Sequence, residues 1–337
     1  MKPILPLVCP ETGKQLNPVP QGDEILDTTT ELRSPSGRVY PVIGGIPRFV
    51  PPENYAAAFG LQWKTFRKTQ LDSYTGTSIS RDRLERCLGG FSVVRGKKVL
   101  EAGCGAGRFT EVLLAEGAQV FACDLSTAVE ANRENCGAND AYFVCQADIR
   151  ALPVAPQSFD VVICLGVIQH TPDPEETIRV LASHVAPGGL LVIDHYRYGH
   201  EDMTLTRQRL RKFLIRQDAG VAMKIVKLLV AVLWPLHRLS WHLRKRALGS
   251  RFRQAVLYFS PVLDYHDYYG QLGPKLLYAW AVLDTHDALT DRYKHKRSTE
   301  QIAQALNDLG LVQAEISYGG NGVEARARVP RSSAPGL

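Results

Sequence analysis

The seven cysteines of this 337-residue chain are scattered, at Cys9, Cys87, Cys104, Cys123, Cys136, Cys145 and Cys164, and none forms a CxxC pair. An odd count without a framework argues against a secreted disulfide scaffold. Several of them sit inside apolar runs, where cysteine behaves as a small hydrophobe. The opening MKPILPLVCPETGK lacks the long apolar run and small-residue cleavage site of a signal peptide. These absences predict a reducing, cytoplasmic setting. Long apolar runs are also missing. In the most hydrophobic region the longest uncharged run, Leu228 to Leu236, has nine residues, whereas a membrane-crossing helix needs about 20, so no transmembrane segment is expected. No internal repeat is present.

Acidic residues are nearly absent from one stretch. Residues 204–253 hold thirteen Lys and Arg against the single acid Asp218, a local charge of +12. The remaining 27 basic and 33 acidic residues leave −6, so the overall +6 is a regional property. Apolar residues make up 45% of the chain, ordinary for a protein with a proper core.

Along the chain, residues 1–50 are rich in Pro, Gly and Thr and read as short strands joined by turns. Residues 51–95 read as a helical lid or linker. From 96 to 196 apolar strands alternate with helices: KKVLEAG, AQVFACD, AYFVCQAD, SFDVVICLG and GGLLVIDHY are the strands. Gly117 should stop the first helix, Ser126 should cap the second, and Asp173 with Pro174 should open the third. Such a pattern predicts an α/β fold, a doubly wound sheet with helices on both faces. A helical, basic insertion occupies 197–295. The core then resumes over 296–330, with a capping box at Ser298 and Gln301 and a hairpin around GGNG. The tail RSSAPGL is expected to be disordered.

The stretch VLEAGCGAGR, residues 99–108, carries the chemistry. A strand, a glycine-rich turn and a helix N-terminus present backbone N–H groups to a nucleotide-like ligand. The dinucleotide fingerprint is GxGxxG, but the glycines here are Gly103, Gly105 and Gly107, and Arg108 stands where the third would fall. Glu101 precedes them and would repel a pyrophosphate, whereas it suits a cation. Asp124 ends the second strand, where a carboxylate can hold ribose hydroxyls. Asp148 ends the third, where it can accept from an exocyclic amine. Three carboxylates around a glycine turn suggest an adenosine carrying an amino acid, as in S-adenosylmethionine.

Taken in order, VLEAGCGAGRFT, FACDLS, CQADIRALP, FDVVICLGVIQHTPDP and VAPGGLLVID resemble the successive motifs of class I S-adenosylmethionine-dependent methyltransferases, in particular the type 11 group. The resemblance covers about residues 95–196, with 298–329 similar to the family's last helix and hairpin. It implies a Rossmann-like sheet of seven mostly parallel strands whose last hairpin is antiparallel. It also implies that Glu101, Gly103, Cys104, Gly105 and Gly107 hold the methionine moiety, that Asp124 and Leu125 hold the ribose, and that Asp148 and Ile149 hold the adenine. By the same resemblance Leu165 and Gly166 line the cofactor, and Gln169 and His170 stand near the methyl group. S-adenosylhomocysteine would be the product. The first fifty residues resemble a small zinc-ribbon-like module; with Cys9 alone in place of cysteine pairs, no metal is expected.

Methyl transfer from a sulfonium mainly requires alignment and exclusion of water, and a base is needed only for an O–H or N–H acceptor. His170, after the fourth strand, is the leading base candidate, and His195, with Tyr196, is the second; either could instead only pack. The runs Asp264–Gly270 and Asp284–Tyr293 could form an acceptor pocket, with His266 or His286 near the substrate, or could satisfy their own hydrogen bonds. Cys104 is expected to pack rather than react.

The basic insertion admits three readings: a helical cap over the acceptor, a peripheral contact with an anionic membrane, or a phosphate-binding surface for nucleic acid. The net acidity of the remainder and the lack of an RNA-binding motif disfavour the last. Trp234 and Trp241, seven residues apart, suit a pocket wall or a membrane interface. The expected activity is methylation of a small-molecule or lipid- or sugar-linked acceptor, with oxygen, nitrogen or carbon left open as the nucleophile. A nicotinamide-dependent oxidoreductase and a non-catalytic cofactor-binding scaffold are the alternatives; the glycine spacing and Asp148 count against the first, the intact cofactor motifs against the second.

Overall fold

The computed structural model describes residues 2–19, 30–51, 53–199 and 205–331; most of the RSSAPGL tail lies outside them. The chain forms two compact units, one of residues 1–54, 78–197 and 293–337, the other of 55–77 and 198–292.

The first unit opens with a four-stranded antiparallel sheet: β1 (Asn17–Val19), β2 (Glu31–Arg33), β3 (Val39–Ile43) and β4 (Ile46–Pro47). Cys9 lies buried beneath it with Sγ 3.2 Å from the Tyr40 hydroxyl. The sequence separates residues 1–50 from the core, but in the structure they belong to the same unit. The chain beyond β4 runs along the main sheet: Phe49 N donates to Gln146 O at 2.8 Å, and Arg48 reaches Gln146 Oε1 at 3.3 Å and Glu130 Oε1 at 3.1 Å. An edge strand left bare invites pairing with other chains, and this segment covers it.

The segment expected to be one lid is divided. Helices α1 (Ala57–Thr65) and α2 (Asp72–Thr75) belong to the second unit, while α3 (Ile79–Leu88) belongs to the first. There α3 is tied to the sheet by ion pairs from Arg83 to Asp194 and from Arg86 to Glu324.

Then follow β5 (Lys98–Ala102), α4 (Thr110–Ala115), β6 (Gln119–Asp124), α5 (Ala128–Cys136), β7 (Tyr142–Gln146), β8 (Phe159–Cys164), α6 (Pro174–Ser183) and β9 (Val185–His195). Their interiors are apolar on both faces because helices cover both; β7 is buried along its whole length. Asp173 caps α6, its Oδ1 accepting from Glu176 N at 3.0 Å, with Pro174 in the first turn. Thr127 is the residue immediately before α5, and the Ser126 hydroxyl serves both sides: it donates to Asp124 Oδ1 at 2.7 Å and accepts from Ala128 N, the first residue of α5, at 3.2 Å.

The second unit adds α7 (Leu205–Leu214), α8 (Ala219–Leu243), α9 (Ala247–Phe259) and α10 (Pro274–Thr290). Its two segments are held by side chains that satisfy buried polar groups: Trp280 Nε1 donates to Thr69 O at 2.7 Å, and His286 Nδ1 lies 2.7 Å from Gln62 Oε1. Asp264 is fully buried and accepts from His237 Nδ1 at 2.7 Å, from Arg253 Nη1 at 2.6 Å and from His266 Nδ1. Trp234 and Trp241 stack on His266, so both rings belong to this unit's interior packing and not to a membrane interface. α8 has 25 residues and is, by length and composition, long and apolar enough to cross a membrane. A core helix of a soluble protein passes the same test of length and composition.

The chain returns with α11 (Thr299–Asp308), β10 (Val312–Gly319) and β11 (Gly322–Arg328). The Ser298–Gln301 capping box is formed. The seven-stranded sheet has the order β10-β11-β9-β8-β5-β6-β7, parallel from β9 to β7 and antiparallel at the β10–β11 hairpin. This is the Rossmann-like arrangement expected. β5 and β8 lie side by side where the strand order reverses, and open α/β sheets bind ligands outside the carboxyl ends of strands at that point.

Candidate functional site

The carboxyl ends of β5, β6, β7 and β8 bring together most of the residues singled out in the sequence. Glu101 pairs in register with Ala122 of β6 and Ile163 of β8, and Asp124 pairs with Gln146 of β7. Beyond Ala102 the chain turns through Gly103 (φ +82°), Gly105 (φ +49°) and Gly107 (φ +97°). A side chain at Gly103 would be excluded twice: its Cβ would fall 2.2 Å from Val167 Cγ2, in a left-handed conformation. Gly103 N and Cys104 N both donate to Cys123 O, at 2.8 and 2.9 Å, and hold the turn against β6. Cys104 is buried and its thiol pushed far up by burial, so it packs.

Glu101 is buried at the start of this turn. Burial, opposed by a hydrogen bond from Thr110 and reinforced by the charge of Asp124, pushes its carboxyl up to about 8. A chain of donors leads toward it. The Tyr142 hydroxyl donates to Asn132 Oδ1, Asn132 Nδ2 donates to Thr110 Oγ1 at 2.9 Å, and Thr110 Oγ1 donates to Glu101 Oε2 at 2.6 Å. Each member polarises the next toward the carboxylate. Thr110, Asn132 and Tyr142 were not singled out in the sequence.

Asp124 receives Gly105 N on Oδ2 at 3.0 Å, and Ser126 N and Oγ on Oδ1 at 2.8 and 2.7 Å. Burial raises its carboxyl, these donors opposing. The adjoining Leu125 carbonyl is fixed by Asn54 Nδ2 at 3.0 Å and Gln146 Nε2 at 2.9 Å. Asp148 follows β7, but both of its oxygens are engaged by Arg150, at 3.1 Å from Nε and 2.7 Å from Nη2. The Ile149 side chain packs into the core. Leu165 is likewise buried. Gly166 N donates to Asp194 Oδ1 at 2.6 Å, and Asp194, fully buried and also ion-paired with Arg83, links the ends of β8 and β9.

A second cluster lies beyond β8 and β9. Gln169 is fully buried, and neither its amide oxygen nor its amide nitrogen has a hydrogen-bond partner among the described residues. Its backbone oxygen accepts from His295 N at 3.0 Å. His170 Nδ1 faces Tyr293 O at 3.1 Å, and its ring meets Tyr196 edge-on at 5.3 Å. His195 Nδ1 faces Tyr196 O at 3.1 Å. In both imidazoles the facing carbonyl can only accept, so Nδ1 is the donor. Burial holds His195 down to about 4, which keeps it neutral and makes it a weak base. Arg297 N donates to Tyr196 O at 2.8 Å, so residues 293–297 are pinned along this edge. Tyr293 ends the run Asp284–Tyr293 singled out in the sequence, whereas His295 was hidden in the basic run DRYKHKR. Nε2 of His195 and of His295 is buried without a hydrogen-bond partner among the described residues.

Of the two runs offered as an acceptor pocket, Asp264 serves the ionic cluster of the helical unit and His286 is fully buried against Gln62. Nε2 of His286 is buried without a hydrogen-bond partner among the described residues.

Residues 100–193 match the family described as "Methyltransferase domain". The chain is 39% identical over 98 residues to a ubiquinone biosynthesis O-methyltransferase of Stutzerimonas stutzeri (strain A1501), covering 28% of this chain and 42% of that protein. To the enzyme of the same name from Coxiella burnetii (strain Dugway 5J108-111) it is 36% identical over 101 residues, covering 29% and 43%. The chain thus spans less than half the length of the curated relatives it matches. Among solved structures, magnesium protoporphyrin IX methyltransferase from Synechocystis PCC 6803 with bound SAH is 18% identical, with a TM-score of 0.42 over 82% of this chain and 97% of that one.

Proposed function

We propose that this chain, whose residues 100–193 carry a class I methyltransferase domain, uses S-adenosylmethionine to methylate a hydroxyl group of a small-molecule acceptor. The observation that carries the reading is Glu101: a carboxyl buried at the mouth of a glycine turn and pushed up to about 8. Such a group gains no charge pairing from a pyrophosphate, whose negative charge would hold it neutral, and becomes a favourable partner once a cation arrives beside it. The amino group of S-adenosylmethionine is that cation. The residues fit the rest of the molecule as well. Asp124 has two oxygens already ordered by backbone and Ser126 donors and keeps lone pairs for the ribose hydroxyls. The Arg150 fork on Asp148 leaves the adenine to the remaining lone pairs of Asp148 and the backbone of Ile149. Leu165, Gly166 and Gln169 flank the reacting end.

When bound, the cofactor supplies a methyl group on a sulfonium. The protein's own part is to align the acceptor and to take its proton. His170 is the base in this reading, its ring oriented by the bond from Nδ1 to Tyr293 O. The Gln169 amide orients the acceptor; a buried amide without a protein partner is costly unless a ligand satisfies it. His195 and His295 line the same edge as further acceptors or donors. An imidazole base serves a nucleophile that must lose a proton, as a hydroxyl does, and the matched relatives are named O-methyltransferases.

The test is transfer of labelled methyl from S-adenosylmethionine to matched panels of hydroxyl and amine compounds. Label on hydroxyl acceptors, reduced in His170→Ala, supports the reading; label on amines alone, or equal transfer by the variant, contradicts it.

A further inference from the structure

α8 presents three stripes. One is buried in the helical unit and includes Ala222, Val226, Val230, Trp234 and His237. Opposite to it runs an apolar line that the protein leaves in solvent: Val221, Leu228, Val232, Leu236 and Leu239, spaced 7, 4, 4 and 3 residues apart, with Leu228 66% and Val232 67% exposed. At about 100° per residue this spacing keeps all five on one face. The third stripe is basic, with Lys224, Lys227 and Arg238 exposed along one edge of the apolar line. Past the helix, Lys245, Arg246 and Arg251 are exposed, as is Leu248 at 80%. Residues 219–253 contain eight Lys and Arg and no acid.

We infer that this face of α8, with the turn into α9, docks on an anionic lipid surface, the apolar line entering the acyl boundary and the cations meeting the headgroups. Isolated exposed leucines are ordinary on a soluble protein, but a continuous line five residues long is not. Charge selects the occupant. A second copy would set the same cations against each other, whereas an anionic bilayer neutralises them, and each Lys or Arg near such a surface strengthens binding by roughly fivefold. The helix lies on the membrane and does not cross it. Its buried stripe carries His237, bonded to Asp264 at 2.7 Å and to Ser260 at 2.8 Å, and Ser240, bonded to Arg253 at 3.2 Å. Insertion across the bilayer would strip those ionic partners away. The inference does not depend on methyl transfer.

The experiment is co-sedimentation of the full chain with vesicles of phosphatidylcholine alone and of phosphatidylcholine mixed with phosphatidylglycerol, at low and high salt. Binding is expected to the mixed vesicles, weakened by salt. Lys224→Glu and Arg238→Glu should each weaken it by roughly fivefold, and Leu228→Asp with Val232→Asp should abolish it, with melting temperature and S-adenosylhomocysteine affinity retained. All four positions are exposed, and the two charge reversals stand as an independent test should the aspartate pair fail to fold. No binding to mixed vesicles at low salt, equal binding to neutral vesicles, or unchanged binding by the aspartate variant overturns the inference. A dimer lost in that variant, with vesicle binding intact, would give the face to a second copy.

Discussion

Thr110 Oγ1 donates to Glu101 Oε2 across 2.6 Å, from the first residue of α4 back to β5. This bond opposes the burial that otherwise keeps the Glu101 carboxyl protonated near neutrality, at about 8. The folded value lies above the ordinary value of 4.5, so this group stabilises the fold fully below about 4.5 and its contribution is lost as pH rises through 8. Binding of a cationic amino group should therefore expel the Glu101 proton. Calorimetry of S-adenosylhomocysteine binding at pH 7, in buffers of different ionisation enthalpy, should show proton release in the wild type and none in Glu101→Gln. Identical apparent enthalpies in all buffers would separate Glu101 from the ligand.

Asp124 is ordered by three donors before any ligand arrives. Its change to Ala removes a charged hydrogen-bond partner and should weaken S-adenosylhomocysteine binding by about 1–3 kcal/mol. An unchanged affinity would remove Asp124 from the ribose role.

Gly103→Ala places a Cβ 2.2 Å from Val167 Cγ2 at φ +82°. We expect a loss of about 1–3 kcal/mol of stability from the backbone conformation alone, together with weakened cofactor binding. A variant that melts and binds as the wild type would show that the turn can reshape at no cost.

The two imidazoles can be separated kinetically. His170→Ala should lower turnover by about 10²–10⁴-fold while leaving S-adenosylhomocysteine affinity intact. His195 is held down to about 4, so an acid limb of the rate profile near pH 4, abolished in His195→Asn, would transfer the base role to it.

Asp264 accepts from Arg253, His237 and His266 while fully buried. These donors hold its carboxyl well below the ordinary 3.8, against burial. Its contribution is present above pH 3.8 and is lost only as pH falls below that. Arg253→Ala leaves a buried charge short of its partner, and thermal or denaturant melting should show a loss of about 3–5 kcal/mol.

The α/β unit was legible because apolar strands and capped helices alternate locally: Asp173, Pro174 and the Ser298–Gln301 box mark helix starts within four residues of chain. Ser126 marks the start of α5 one residue early because its hydroxyl serves both the helix, at Ala128 N, and Asp124. Asp148 could be located at a strand end, but its bidentate engagement by Arg150 depends on how the two-residue turn folds. The chain Tyr142–Asn132–Thr110–Glu101 joins residues far apart in sequence and is set by the packing of α4, α5 and β7. His295 looks like solvated polar punctuation until residues 293–297 are pinned to Gln169 and Tyr196. In the helical unit, ionic clusters and binding sites draw on the same residue types, so the Asp264 cluster was not distinguishable from a pocket in the polar aromatic runs.

The central claim is that the glycine turn with Glu101 and Asp124 receives S-adenosylmethionine. Calorimetric titration of the full chain with S-adenosylhomocysteine and, separately, with NAD tests it most directly. The account predicts saturable binding of S-adenosylhomocysteine, weakened in Asp124→Ala, and no binding of NAD. Tight binding of NAD with no S-adenosylhomocysteine signal would contradict it.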